Sequence, residues 1–327
     1  MRAAAVVVVV VVVVLGFAAG ARAAETDPYY AWFAPPQDGT AALNTVINER
    51  LERGLAEVNA SSPPLSCERA ARAMVAPLAQ TAWWFFVSEM RLWDVDRVPH
   101  DDAGYSDLRA VGTYRSAPLL PFGKFVPVDP AVRVGDVLFG TDKLGHFFTN
   151  GPRYLDRYRS ALAGGADVAA AEAAAVRLGV AQELGWLGMG VSGVFSYGDL
   201  EANWRGFLFF RDLCASPPSS TTPRLIRRDE RWSLSAPFDI AAVVSPCWDE
   251  SFATSAFAPQ EREPVRRAVL SLCKRWQRPD IQERRRRYRE RGCAGRHQLL
   301  LASLIGAGEA PDPRPWSIDS LCSSSAK

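Results

Sequence analysis

The apolar and polar positions fall into blocks of helical period, separated by prolines and glycines. Between Thr40 and Val58 the apolar residues Leu43, Val46, Ile47, Leu51, Leu55 and Val58 recur three and four apart, with Glu49, Arg50, Glu52 and Arg53 on the other face. That spacing predicts an amphipathic helix, stopped by Pro63-Pro64. Ser66 to Asp94 reads as a long helix bent at Pro77, and its aromatic run Trp83, Trp84, Phe85 and Phe86 predicts core packing. A polar loop follows to about Pro121. Across 124–140 the period changes: Val126, Val128, Val132, Val134 and Val137, punctuated by Pro127, Pro130, Gly135 and Gly140, predict a small hairpin.

From Thr141 the helical rhythm returns. Asn150-Gly151-Pro152 is expected to break or kink the first helix, an alanine-rich helix runs over about 166–187, and a third runs from about Ser196 to Cys214. Pro217-Pro218-Ser219-Ser220 reads as a linker, and helices around 260–276, 279–290 and 297–305 follow it. The pattern predicts a mainly α fold: a helical bundle with a minor β-hairpin and a disulfide-stapled helical C-terminal part. The organisation expected is a leader over 1–23, a helical core domain over 24–216, and a cysteine-containing helical subdomain over 217–327.

The leader reading comes from Met1-Arg2, an uncharged run from Ala3 to Ala21 with nine consecutive valines, and an Ala21-Arg22-Ala23 exit. This is the pattern of a cleaved secretory signal; an uncleaved anchor is the alternative, since about 19 apolar residues just span a bilayer. An exported chain makes the six cysteines, Cys67, Cys214, Cys247, Cys273, Cys293 and Cys322, read as up to three disulfides, with fifteen pairings open. Five of the six lie from Cys214 onward, which points to a stapled C-terminal third. Removing Arg2 and Arg22 brings the 38 basic residues to 36, equal to the 36 acidic ones, so net charge gives no support to nucleic-acid binding.

Three polar clusters interrupt otherwise apolar helices. The first is Thr141 to Phe148, in which Asp142 and His146 stand four apart and share a helical face. Gln182-Glu183 is the second. In the third, Ser196 to Gly206, the residues Asp199, Asn203 and Gly206 follow at helical spacing. Three helices offering inward carboxylate, imidazole and amide groups can build one site between them.

The D-K-x-x-H-F run (Asp142, Lys143, His146, Phe147), the later Glu183, and S-x-x-D-L-x-x-N-x-x-G (Ser196, Asp199, Leu200, Asn203, Gly206) together resemble the VanZ-like and YfiM-like group of bacterial envelope proteins. The likeness covers about residues 141–210. It implies a small helical core and an envelope location, without a settled reaction. The chain departs from the first kind in lacking its several membrane spans, and from the second in lacking a lipid-bearing cysteine.

Two chemistries fit these residues. In a metal-free hydrolase, His146 is the general base, Asp142 or Glu183 orients it, and Lys143 with Asn203 stabilises developing negative charge, with Asp199 beside them. In a metal site, Asp142, His146, Glu183 and Asp199 are mixed nitrogen and oxygen ligands for zinc or another divalent ion, with Asn203 supporting them from behind. Either would act on or bind an envelope lipid, phosphate or cell-wall component. Structural alternatives stand beside them. Ser196 and Asp199 form a capping box, Thr141 is an N-cap, Asp142 pairs with His146, Lys143 or Arg153, Glu183 pairs with Arg177, and Gly206 permits a close helix contact. In that case the cluster is a buried network fixing helix register in a non-catalytic structural or adaptor protein. The basic run Arg284 to Arg287 with Arg289 and Arg291 reads as a solvated face, or as a contact with anionic lipid or glycan through which the protein touches a membrane surface. His100 reads as exposed, and His297 as a helix-boundary residue.

Overall fold

The computed structural model describes residues 25–78, 128–215 and 223–324, except 27, 34, 130, 186 and 191. The leader, the aromatic run at 83–86, His100 and the linker at 217–220 lie outside the described residues. Among those described, the fold is mainly helical with short strand pairs, as the periodicity predicts.

Helix α1 spans Thr40–Asn59 and buries Leu43, Ile47, Leu51, Leu55 and Val58, its sequence-predicted face, together with Arg50, which the pattern places on the polar side. Helix α2, Cys67–Val75, is capped by Ser66, whose hydroxyl accepts from the Arg69 amide; it packs on α1, where Gly54 lets the backbone of Met74 approach. The hairpin is β1 (Ala131–Val134) and β2 (Val137–Gly140), paired antiparallel with Val134 opposite Val137. Gly135 turns it at φ +58°, a left-handed conformation that glycine adopts without a Cβ penalty.

Strand β2 runs directly into the central helical layer. Helix α3 (Asp142–Gly145) continues through one π turn, His146–Asn150, into α4 (Gly151–Ala163). The expected break at Asn150-Gly151-Pro152 is therefore a widened turn within a continuous helical path. Pro152 comes just after the π turn, and since the helical path is continuous its missing N–H leaves one bond to the preceding turn unmade, where the widened turn sits. Helix α5 is Val168–Leu184, capped by Asp167. Strand β3 (Val194–Phe195) leads into α6 (Tyr197–Leu213), which is buried along most of its length and packs on α4 and the π turn. Gly206 makes that crossing possible: a Cβ there would lie 2.1 Å from the carbonyl oxygen of Phe147 and 3.0 Å from Cα of Gly151.

The C-terminal part follows a second hairpin, β4 (Leu225–Arg228) and β5 (Arg231–Leu234). Strand β6 (Ala256–Phe257) pairs antiparallel with β3 and precedes α7 (Pro259–Trp276), α8 (Pro279–Arg291), α9 (Gly295–Gly306) and α10 (Ile318–Ser324). This part is bridged by Cys247–Cys293 and Cys273–Cys322, while Cys67–Cys214 ties α2 to the end of α6. Three bridges point to folding in an oxidising, extracytoplasmic setting. No described helix is long and apolar enough to cross a membrane.

Around the π turn lies an aromatic core in which Phe147 touches Phe148, Phe209, Phe238 and Trp248 with ring centroids 4.8–6.0 Å apart. These residues face one side of the turn. His146 of the same turn reaches Asp199 and Asn203 of α6, so the apolar packing of Phe147 helps fix where the polar cluster stands.

Candidate functional site

The three polar clusters meet, and a fourth segment joins them. Asp142, Lys143, His146, Glu183, Ser196, Asp199 and Asn203 converge with Glu250, and none is more than 4% exposed. Glu250 comes from the irregular stretch after the 3-10 turn Pro246–Trp248, where no periodicity marks it. It is the principal site residue that sequence reasoning missed.

Lys143 is the centre of one half. Its Nζ lies 2.5 Å from Asp142 Oδ2, 2.6 Å from Asp199 Oδ1 and 2.6 Å from Glu250 Oε1. An ammonium has three N–H donors, and three carboxylates surround this one. Burial alone would push its pKa down, but Asp142, Asp199 and Glu250 hold it well above the usual lysine value. Lys143 is thus a fixed cation. Asp142 is pushed up by its burial despite the neighbouring ammonium. Gly198 opens the space for this side chain, since a Cβ there would sit 2.9 Å from Lys143 Cε.

Glu250 is held from both ends. Ser196 Oγ donates to its Oε1 at 3.0 Å, and Ser255 Oγ donates to its Oε2 at 2.9 Å. The same Ser196 hydroxyl accepts from the Asp199 amide at 3.1 Å as the N-cap of α6. The N-cap half of the expected capping box is therefore present, with the Ser196 proton and acceptor both used, but the reciprocal half is not, because the Ser196 amide donates to Glu183 instead of Asp199. Thr141, by contrast, makes no side-chain cap.

His146 is the centre of the other half. Its Nε2 lies 3.2 Å from Asp199 Oδ2, so Asp199 joins the two halves through its two oxygens. On the opposite ring edge, Nδ1 lies 3.1 Å from Asn203 Oδ1 and 3.2 Å from Asn150 Nδ2. Arg153 donates to Asn150 Oδ1 at 2.9 Å, which turns the Asn150 NH2 toward the imidazole. The π turn brings Asn150 and His146 together. Asn203 also reaches the buried Tyr154 hydroxyl at 3.5 Å, and burial raises that phenol's pKa. Glu183 accepts from the Ser196 amide at 3.3 Å. One ligand atom each from His146, Glu183 and Asp199 lies within 4.8 Å of the others, and the same holds for Asp142, Asp199 and Glu250. In the second group, however, the Lys143 ammonium already contacts all three carboxylates.

Several pairings differ from those expected. Arg177 pairs with Glu309 at 2.8 Å, because it leaves α5 on the solvent side while Glu183 faces inward. Of the partners expected for Asp142, Lys143 is the one it takes, while Arg153 engages Asn150 instead. His297 is wholly buried rather than at a boundary. Its Nδ1 contacts Glu201 Oε2 at 2.6 Å and its ring stacks on Trp204 at 5.3 Å. Glu201 also accepts from Ser245, Arg205 and the Ala294 amide. Burial opposes its charge, yet the His297 hydrogen bond and the surrounding positive groups bring its pKa to about 2. In the basic run, Arg286 and Arg287 pair with Glu283, Arg287 also with Asp136, and Arg285 is buried over Trp276 with a bond to Asp319. Arg285, Arg286 and Arg287 are thus each paired with an acid, whereas Arg284 contacts Trp32 and Arg291 the Val244 carbonyl.

In comparison with known proteins, no family model matches the chain, and no curated protein or solved structure matches it.

Proposed function

We propose that this is an exported, disulfide-bridged protein of the bacterial envelope, of the VanZ-like and YfiM-like kind, in which the polar cluster is a non-catalytic network that fixes helix register in a structural or adaptor protein. The observation that carries this reading is the saturation of Lys143 by carboxylates from its own helix, from α6 and from the segment after Trp248. A group recognising a phosphate or an oxyanion must offer donors to the ligand. Here the ammonium donates to Asp142 and Glu250 and stands in ion-pair contact with Asp199, and the Ser196 hydroxyl spends its proton on Glu250.

Such a network is specific because the wrong register strands charge. Sliding α3 by one residue against α6 would remove Lys143 from Asp199 and leave buried carboxylates without their counter-charge, a cost of several kcal/mol. Apolar packing alone tolerates such a slip far better. The competing reading is a pocket acting on an envelope lipid, phosphate or cell-wall fragment, and it requires these side chains to reach a substrate.

Thermal unfolding of Lys143→Met separates the two. The network reading expects a clearly lower melting temperature, with native helicity retained below it. A variant that melts like the wild type would overturn it.

A further inference from the structure

Beyond its register role, the histidine half of the cluster has the geometry of a metal centre, and we propose that His146, Glu183 and Asp199 hold one divalent transition ion of the zinc class. The three residues come from the π turn, the end of α5 and the first turn of α6, so the site exists only in the folded chain.

The distances carry the argument. In a tetrahedral site with metal–ligand bonds of about 2.0–2.1 Å, neighbouring ligand atoms stand about 3.3 Å apart. His146 Nε2 and Asp199 Oδ2 are 3.2 Å apart, and the Glu183 oxygen lies within 4.8 Å of both. Glu183 has to move toward the other two to close the third edge.

The surroundings of the imidazole supply a second, independent observation. A ligating histidine has its remote nitrogen held by a hydrogen-bonding group that fixes ring orientation. His146 Nδ1 has the Asn203 carboxamide oxygen at 3.1 Å. In the ion-free protein Nε2–H donates to Asp199 and Nδ1 accepts from Asn150. On loading, the ion takes the place of the Nε2 proton, which leaves to solvent, and one proton is taken up on Nδ1 and donated to Asn203 Oδ1, so the ring changes tautomer. The two asparagines thus serve the two tautomers. Lys143 keeps Asp199 Oδ1 occupied, leaving Oδ2 for the ion. One imidazole with two carboxylates suits zinc, and cobalt(II) can replace it as a spectroscopic probe.

The experiment uses the full mature chain, purified from an oxidising compartment without chelator. Elemental analysis is expected to find close to one zinc per chain, and chelator-treated protein is expected to take up cobalt(II) with a tetrahedral d–d spectrum. Glu183→Gln keeps volume and an acceptor for the Ser196 amide, and is expected to abolish the cobalt spectrum with the fold intact. Asn203→Leu is expected to weaken zinc about 10–100-fold. Wild-type protein that neither contains zinc nor binds added zinc or cobalt would overturn the proposal. So would Glu183→Gln that binds as well as the wild type. Neither result bears on the Lys143 network, which is tested through stability alone.

Discussion

Glu250 Oε1 lies 2.6 Å from Lys143 Nζ across 107 residues of sequence. This contact binds the segment following the Cys247 bridge to the first turn of the central helical layer. It makes the C-terminal part a contributor to the buried cluster rather than an appendage to it. Asp249, the preceding residue, is buried beside it and accepts from the Trp32 indole and from Ser251, so two consecutive carboxylates anchor this stretch in opposite directions.

Burial pushes the Asp249 carboxyl up to about 6 from its ordinary 3.8, against the hydrogen bonds of Ser251. The native state therefore holds a proton that the unfolded chain releases. Its contribution is full below about pH 3.8 and is lost as pH rises through 6, a fall of about 3 kcal/mol over that window. Urea denaturation at stepped pH is expected to show this decline, and Asp249→Asn is expected to flatten it. An unchanged pH slope in the variant would assign the decline elsewhere.

Glu201 has the opposite sign. Its folded pKa of about 2 is below the ordinary 4.5, so the stability from its contacts with His297, Arg205, Ser245 and Ala294 is present above pH 4.5 and is lost as pH falls toward 2. Glu201→Gln is expected to cost about 3–5 kcal/mol at pH 7, because it leaves buried partners without their anion. The same denaturation series is expected to show the acid limb become shallower in this variant.

The crossing of α6 over the π turn depends on Gly206. A Cβ placed 2.1 Å from the Phe147 carbonyl oxygen must move backbone, not a flexible side chain. Gly206→Ala is expected to destabilise by at least about 1–3 kcal/mol and to disturb the His146 environment. Calorimetric melting checks the first effect, and the His146 ring proton resonances check the second.

Regular elements were legible in the sequence because their signals are local. The face of α1, the hairpin turning at Gly135 and the Ser196 cap each follow from neighbours within a few residues. The convergence of Asp142, His146, Glu183, Asp199 and Asn203 was legible too, since carboxylates and an imidazole inside apolar helices have to find partners. Glu250 was not, because it lies in irregular chain where no period marks an inward face. His297 was misread for a related reason: it opens a helix, and its burial depends on Glu201 and Trp204, nearly a hundred residues earlier. Disulfide pairing is equally non-local, and the Cys67–Cys214 bridge reaches outside the cysteine-rich third.

The account's central claim is that Lys143 and its carboxylates act as one structural unit. A double-mutant cycle in equilibrium urea denaturation, with Lys143→Met, Glu250→Gln and the pair, tests it most directly. Lys143→Met is expected to cost about 3–5 kcal/mol at pH 7. The pair is expected to cost less than the two singles together, by about 0.5–3 kcal/mol. Additive effects, or a Lys143→Met variant as stable as the wild type, would contradict the claim.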